Sequence, residues 1–129
     1  MTIVTVHAAG GVAPAEAWER YAALGRWVGW APQIRRVESD ADRIAPGVTG
    51  RVYGPVPGAY VDFVVDAVDE AARRWSWTVR RGPLVLRLEH GVRPRGRGTT
   101  TSLRIDGPMP VVLGYAPIAH LALRRLVAR

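Results

Sequence analysis

The C-terminal stretch from Pro108 to Arg129 reads PMPVVLGYAPIAHLALRRLVAR. No residue between Gly107 and Leu123 carries a formal charge, and apolar side chains recur at Val111, Tyr115, Ile118, Ala122 and Leu126. That spacing of three or four is one face of a helix. A second apolar row, Val112, Ala116, Ala119, Leu123 and Val127, lies beside the first, so the stripe is wider than a surface helix shows and most of the circumference should be covered. Pro108 and Pro110 suit a helix start, and Pro117 should bend the helix by removing a backbone donor. Arg124, Arg125 and Arg129 place positive charge at the negative end of the dipole. The run falls short of the roughly 20 apolar residues that cross a bilayer, which makes it a buried core helix in need of a surface.

Upstream residues supply that surface. Thr2 to His7 alternates at period two and predicts a strand, and AAGGV after it predicts a loop. Pro14 opens a helix over Ala13 to Leu24 with early acids Glu16 and Glu19 and with Trp18, Tyr21 and Ala22 on one side. RWVGWAP, 26–32, allows a turn or two of helix before Pro32. Strand patterns then follow at Ile34–Ser39, Val48–Tyr53, Ala59–Val68, Arg74–Arg80, the stretch after Pro83 to Val92, and Thr99–Asp106, separated by short Gly- and Pro-rich turns. Arg74–Arg80 (RWSWTVR) is the clearest, with Trp75, Trp77 and Val79 on one face. Leu84, Leu86, Leu88, His90 and Val92 share a face on the next strand, and Thr101, Leu103 and Ile105 on the last. Short turns between successive strands predict an antiparallel meander whose greasy face the C-terminal helix covers.

Composition narrows the function classes. The 129 residues fit a single domain, 1–129, large enough for a core, and 48% hydrophobic with 22% charged residues is a globular balance. Without cysteine there is no disulfide frame, thiol nucleophile or thiolate metal site. The N-terminus lacks the basic and long apolar regions of a signal peptide, so a cytoplasmic protein is expected. The net charge is +7 and every basic residue is arginine, but no helix carries a basic stripe, which argues against nucleic acid. His7, His90 and His120 have no partner at helical ligand spacing, so neither a metal nor a cofactor is expected. No G-x-S-x-G surrounds a serine, and Gly96-Arg97-Gly98 lies in a hairpin rather than before a helix. Asp62 and Asp66 fall on the outer face, away from any interior chemistry.

The order of elements and several segments resemble the SRPBCC superfamily of START-like domains, in particular its polyketide cyclase/dehydrase and lipid transport group. The resemblance rests on AEAWERYAALGRWVGWAPQIRRVE (15–38) with its W-x-x-W-x-P lead-in to strand two, on APGVTGRV (45–52), on VDAVDEAARRWSW (65–77), on LRLEHGVRPRGRGTT (86–100), and on the closing apolar helix. It implies an α+β helix-grip fold: a curved antiparallel sheet of about six to seven strands wrapped around a long C-terminal helix, with two small helices after strand one. It also implies a cavity between sheet and helix for a hydrophobic or aromatic small molecule. On the phase read above, Phe63, Trp75, Trp77, Leu86, Leu88, His90, Leu103, Leu113 and Tyr115 are the expected lining, with the ligand beneath the Pro117 bend. Trp18, Trp27 and Trp30 should pack the small helices against the sheet end. His90 and Tyr115 are the candidates for acid–base work if the domain is a polyketide aromatase/cyclase or dehydratase. A non-catalytic module docking a protein or RNA is the further alternative, and the domain should be a monomer or homodimer.

Overall fold

A computed structural model describes residues 1–129. Strands β1 (Thr2–Gly10), β2 (Arg36–Glu38), β3 (Thr49–Tyr53), β4 (Tyr60–Asp69), β5 (Arg74–Arg81), β6 (Leu84–Arg95) and β7 (Gly98–Gly107) form one antiparallel sheet in the order β1-β7-β6-β5-β4-β3-β2. Between β1 and β2 lie helix α1 (Pro14–Ala22), a 3-10 turn (Leu24–Arg26) and helix α2 (Trp27–Trp30). Helix α3 (Met109–Leu126) closes the chain. This is the curved helix-grip arrangement. Successive strands from β2 to β7 pair with their sequence neighbours, and only β1 crosses to the far edge, against β7.

The alternation in the sequence sets the inner face. Trp75, Trp77 and Val79 on β5, Leu88, His90 and Val92 on β6, and Thr99, Thr101, Leu103 and Ile105 on β7 are all buried. On β4 the register slips between Val65 and Ala67, a bulge at Asp66 that brings Val68 rather than Ala67 opposite Trp75. The extra residue restores the inward phase that strict alternation from Phe63 would have lost. Asp66 is turned outward, where its carboxylate accepts a 2.7 Å bond from the Thr78 hydroxyl.

Two segments depart from the sequence reading. β1 continues through Ala8, Ala9 and Gly10, where a loop is expected, because small residues let the C-terminus of α3 close directly on the strand. Gly10 lies against the Val127 carbonyl with no space for a β-carbon, and the Val12 amide donates to that carbonyl at 3.1 Å. Helix α3 is continuous through Pro117 and rests mainly on β1 and β7. Val112, Ala119, Ala122, Leu123 and Leu126 are its buried residues, so the seated face is centred on the second apolar row. The opposite face is open: Met109, Leu113, Ile118 and Leu121 are 57, 54, 43 and 45% exposed. The expected near-complete cover is therefore absent, since the sheet reaches only one side of the helix.

The α3 C-terminus is also held from α1. The Arg20 guanidinium donates to the carbonyls of Leu126 and Ala128, each at 2.7 Å, which satisfies acceptors that the last helical turn leaves unpaired. Gly10→Ala should lower stability by about 2 kcal/mol or more in chemical denaturation, because the added methyl must push β1 from the α3 terminus.

Candidate ligand cavity

Between the sheet and α2 the interior divides in two. Trp27, 1% exposed, projects from α2 onto the inner face of the sheet, where its ring centroid lies 5.6 Å from Phe63, 5.8 Å from Trp75 and 5.0 Å from Trp77. Its indole N–H donates to the Tyr21 carbonyl at 2.8 Å, so the wedge is both packed and satisfied. Trp30 is tied likewise to the Arg20 carbonyl at 2.8 Å and stands edge-on to Tyr21 at 5.4 Å. The Trp18 N–H donates to Glu70 on the β4–β5 turn. The small helices thus fill one end of the cleft with aromatic rings.

His90 belongs to that filled end. It stacks on Trp75 at 4.8 Å with 12° between planes, stands edge-on to Tyr21 at 4.8 Å, and accepts the Trp77 indole N–H on Nε2 at 3.1 Å. The bond leaves the proton on Nδ1, which has no partner, and the neighbouring Trp75 N–H has none either. Burial without a carboxylate pushes the imidazole down to about 3, so it is neutral at physiological pH. Tyr21 is buried beside it, its hydroxyl 2.6 Å from Thr101 Oγ1, and Thr101 in turn donates to the Gly91 carbonyl at 2.9 Å.

The other end is open. A cavity of about 450 Å³ lies under the N-terminal half of α3 and between the β3–β4 hairpin and the ends of β5 and β6. Val52, Val56, Ala59 and Val61 come from the hairpin, Trp77 and Val79 from β5, and Leu86 and Leu88 from β6. Gln33 and Ile34, just after α2, and Tyr115 from α3 complete the wall. Arg81, exposed at the rim, donates to the Tyr60 carbonyl at 2.7 Å. Two half-buried polar residues of the wall, Gln33 and Tyr115, are joined by a 3.0 Å bond from the amide Nε2 to the phenol oxygen. Desolvation raises the Tyr115 pKa above its usual value, so the phenol stays protonated. A larger groove of about 630 Å³ on the outer sheet face is open and lined by charges of both signs, including Glu38, Asp40, Arg51 and Asp62.

Of the residues expected to line a cavity, Trp77, Leu86, Leu88 and Tyr115 meet around this space. Phe63, Trp75 and His90 lie in the aromatic cluster instead, because Trp27 packs against Phe63 and Trp75 and Tyr21 packs against His90. Leu103 is buried in the core on β7, the strand on which α3 rests. Leu113, expected in the lining, is instead a surface residue on the open side of α3, because it follows the seated Val112 by one residue and so points about 100° away around the helix. Gln33 was not foreseen. Its only sequence signal is its position directly after the W-x-x-W-x-P segment. No group of three or more His, Asp or Glu residues is placed to hold a metal ion, and no helix is long and apolar enough to cross a membrane.

Comparison with known proteins agrees with this architecture. The model of the family described as polyketide cyclase / dehydrase and lipid transport matches residues 1–129, and the chain belongs to that family. A search of curated proteins gave no match. Among solved structures, the crystal structure of Ara h 8.0201 is similar with a TM-score of 0.77 at 16% identity, over 97% of this chain and 94% of that one. A protein from Nitrosospira multiformis gives 0.81 at 14% identity, over 98% and 94%. The di-domain ARO/CYC BexL from the BE-7585A biosynthetic pathway gives 0.80 at 15% identity, over 98% of this chain and 45% of that longer one. At these identities the likeness is one of fold.

The buried neutral imidazole has a thermodynamic signature. Its folded pKa lies below the unfolded value of about 6.5, so the unfolded chain binds more protons as pH falls and stability drops from about pH 6.5 downward. Between pH 6 and pH 5 the loss should approach about 1.4 kcal/mol per pH unit. His90→Gln, which removes the titration and keeps an acceptor for Trp77, should flatten that slope in denaturant melts at pH 7, 6 and 5.

Proposed function

We propose that this member of the polyketide cyclase/dehydrase and lipid transport family binds a hydrophobic or aromatic small molecule in the cavity beneath α3. The observation that carries the reading is a space of about 450 Å³ with almost entirely apolar walls, enclosed by the β3–β4 hairpin, β5, β6 and Tyr115 of α3. Spaces of this size and lining suit a small organic ligand, whose burial is driven by the apolar area removed from water. Trp77, Leu86, Leu88 and Tyr115 are the binding residues of this proposal, joined by Gln33, Val52 and Val79. The protein would act in the cytoplasm as a monomer or homodimer, without metal or cofactor.

A second reading, a polyketide aromatase/cyclase or dehydratase, is favoured by the family description and by the likeness to an ARO/CYC protein. Tyr115 is the group that could serve it, by donating a hydrogen bond to a substrate oxygen as negative charge develops there. His90 is poorly suited, since it is outside the cavity lining and too weakly basic to shuttle a proton near pH 7. A docking module for protein or RNA has less support. Arginines on the outer sheet face are interleaved with carboxylates, as in Arg104–Glu89 and Arg51–Asp62, each at 3.6 Å, which breaks up a uniform basic surface.

A neutral, apolar fluorophore such as N-phenyl-1-naphthylamine should bind saturably and accept excitation energy from tryptophan. Ala59→Trp, at the cavity wall, should weaken that binding by about tenfold or more by filling the space. Saturable binding that is unchanged in Ala59→Trp would place the probe elsewhere and remove the cavity from the proposal.

A further inference from the structure

We propose that the cavity selects an uncharged apolar ligand carrying a hydroxyl group, and that Gln33 and Tyr115 read that hydroxyl together. The inference rests on the ligand-binding reading above and specifies the chemistry of its ligand.

The Gln33–Tyr115 pair is internally incomplete. Gln33 donates from Nε2 to the phenol oxygen, and this bond leaves the phenol's own proton free. Gln33 Oε1 is buried and has no partner. A buried acceptor left unpaired is destabilising, and a ligand donor at that place would relieve it. Both residues belong to the cavity wall, so the pair holds one O–H donor and one C=O acceptor side by side behind an otherwise apolar surface, and a turn of the Gln33 amide would bring Oε1 to the cavity. Rotating the amide by 180° exchanges the roles, with Tyr115 donating to Oε1, and still leaves a donor on Gln33 and an acceptor on Tyr115.

A ligand group that satisfies both must accept and donate at once. A hydroxyl does so, whether alcohol, phenol or enol, by accepting from Tyr115 and donating to Gln33. A ketone or ether uses only the donor. A carboxylate would bring a charge to the wall, where Oε1 would repel it and where the one cationic residue, Arg81, is exposed at the rim and engaged with the Tyr60 carbonyl. An ammonium group would find Oε1 but no counter-charge. The remaining lining, from Val52, Val79, Leu86 and Leu88, favours a hydrocarbon body.

Three probes of one shape test the idea on the full chain at pH 7 by calorimetric titration: 2-naphthol, 2-methylnaphthalene and 2-naphthoate. The expected result is 2-naphthol about tenfold tighter than either of the others. In Tyr115→Phe and in Gln33→Leu, each shown to be folded by circular dichroism, the ratio of 2-naphthol to 2-methylnaphthalene affinity should shrink to about threefold or less. Equal affinity of the wild-type protein for naphthol and methylnaphthalene would overturn the hydroxyl selection and leave the apolar cavity standing. Tightest binding of naphthoate would overturn the preference for an uncharged ligand. An undiminished preference in both variants would remove Gln33 and Tyr115 from its recognition. Binding of none of the three, with N-phenyl-1-naphthylamine also failing, would overturn the cavity reading itself.

Discussion

The placement of one side chain, Trp27, determines how the interior is shared between packing and space. An antiparallel sheet with one apolar face must be covered along its whole width, and α3 covers chiefly the β1 and β7 side. The part left over is met by α2, a helix of a single turn, through the Trp27 indole seated among Phe63, Trp75 and Trp77. A residue of this volume on so short a helix would be mobile without a tether, and the bond from its N–H to the Tyr21 carbonyl provides one. Because α1 also carries Trp18, Tyr21 and Arg20, that tether joins the wedge to the elements that fix β4 and α3. What remains beyond the reach of Trp27 is the cavity.

The same wedge explains what the sequence could and could not disclose. Period-two alternation in Arg74–Arg81 and in Leu84–Arg95 is a local property of the strand, so the inward faces of Trp75, Trp77, Leu88 and His90 are legible without any knowledge of the fold. Which inward residues face open space and which meet an aromatic ring from a distant helix is a tertiary fact. Phe63, Trp75 and His90 look identical in pattern to Trp77 and Leu88, and only the rings that α1 and α2 lay on the sheet, Tyr21 against His90 and Trp27 against Phe63 and Trp75, set them apart from the cavity wall. Gln33 was hidden for a related reason: a polar residue after a proline carries no periodic signal, and its meaning comes from Tyr115 across the cleft. For α3, two adjacent apolar rows left the rotational setting open over most of a turn. The sheet decided it by seating Val112, Ala119 and Leu123, and Leu113 and Ile118 became surface residues as a result.

Charge is distributed in a way consistent with a neutral interior. The arginines lie mostly outside, where several are balanced by carboxylates, as Arg43 is by Glu19 at 2.8 Å and Glu70 at 3.0 Å. Such exposed pairs add little stability individually, so their value is in keeping a strongly basic chain from repelling itself. Inside, the titratable groups are two phenols and an imidazole, each held in its neutral form by burial. An interior with no fixed charge is a poor host for ionic chemistry and a good one for a neutral molecule that enters by losing apolar surface to water.

The two halves of α3 are held unequally, and this bears on how a ligand would enter. From Ala119 onward the helix is anchored by Ala122, Leu123, Leu126 and Val127 in the core, by the Val127 carbonyl over Gly10, and by Arg20 at its terminal carbonyls. Before Pro117 only Val112 is fully buried; Tyr115 and Ala116 are half-buried, and Met109 and Leu113 face outward. Pro117 removes the backbone donor that would otherwise bond the Leu113 carbonyl, at the boundary between the two halves. The cavity lies under the weaker half, and the Gln33–Tyr115 bond is a polar tie from that half to the α2 side of the cleft. A ligand hydroxyl that completes the hydrogen bonding of this pair would therefore also strengthen the fastening of the roof, so that occupancy and closure are coupled through the same two side chains.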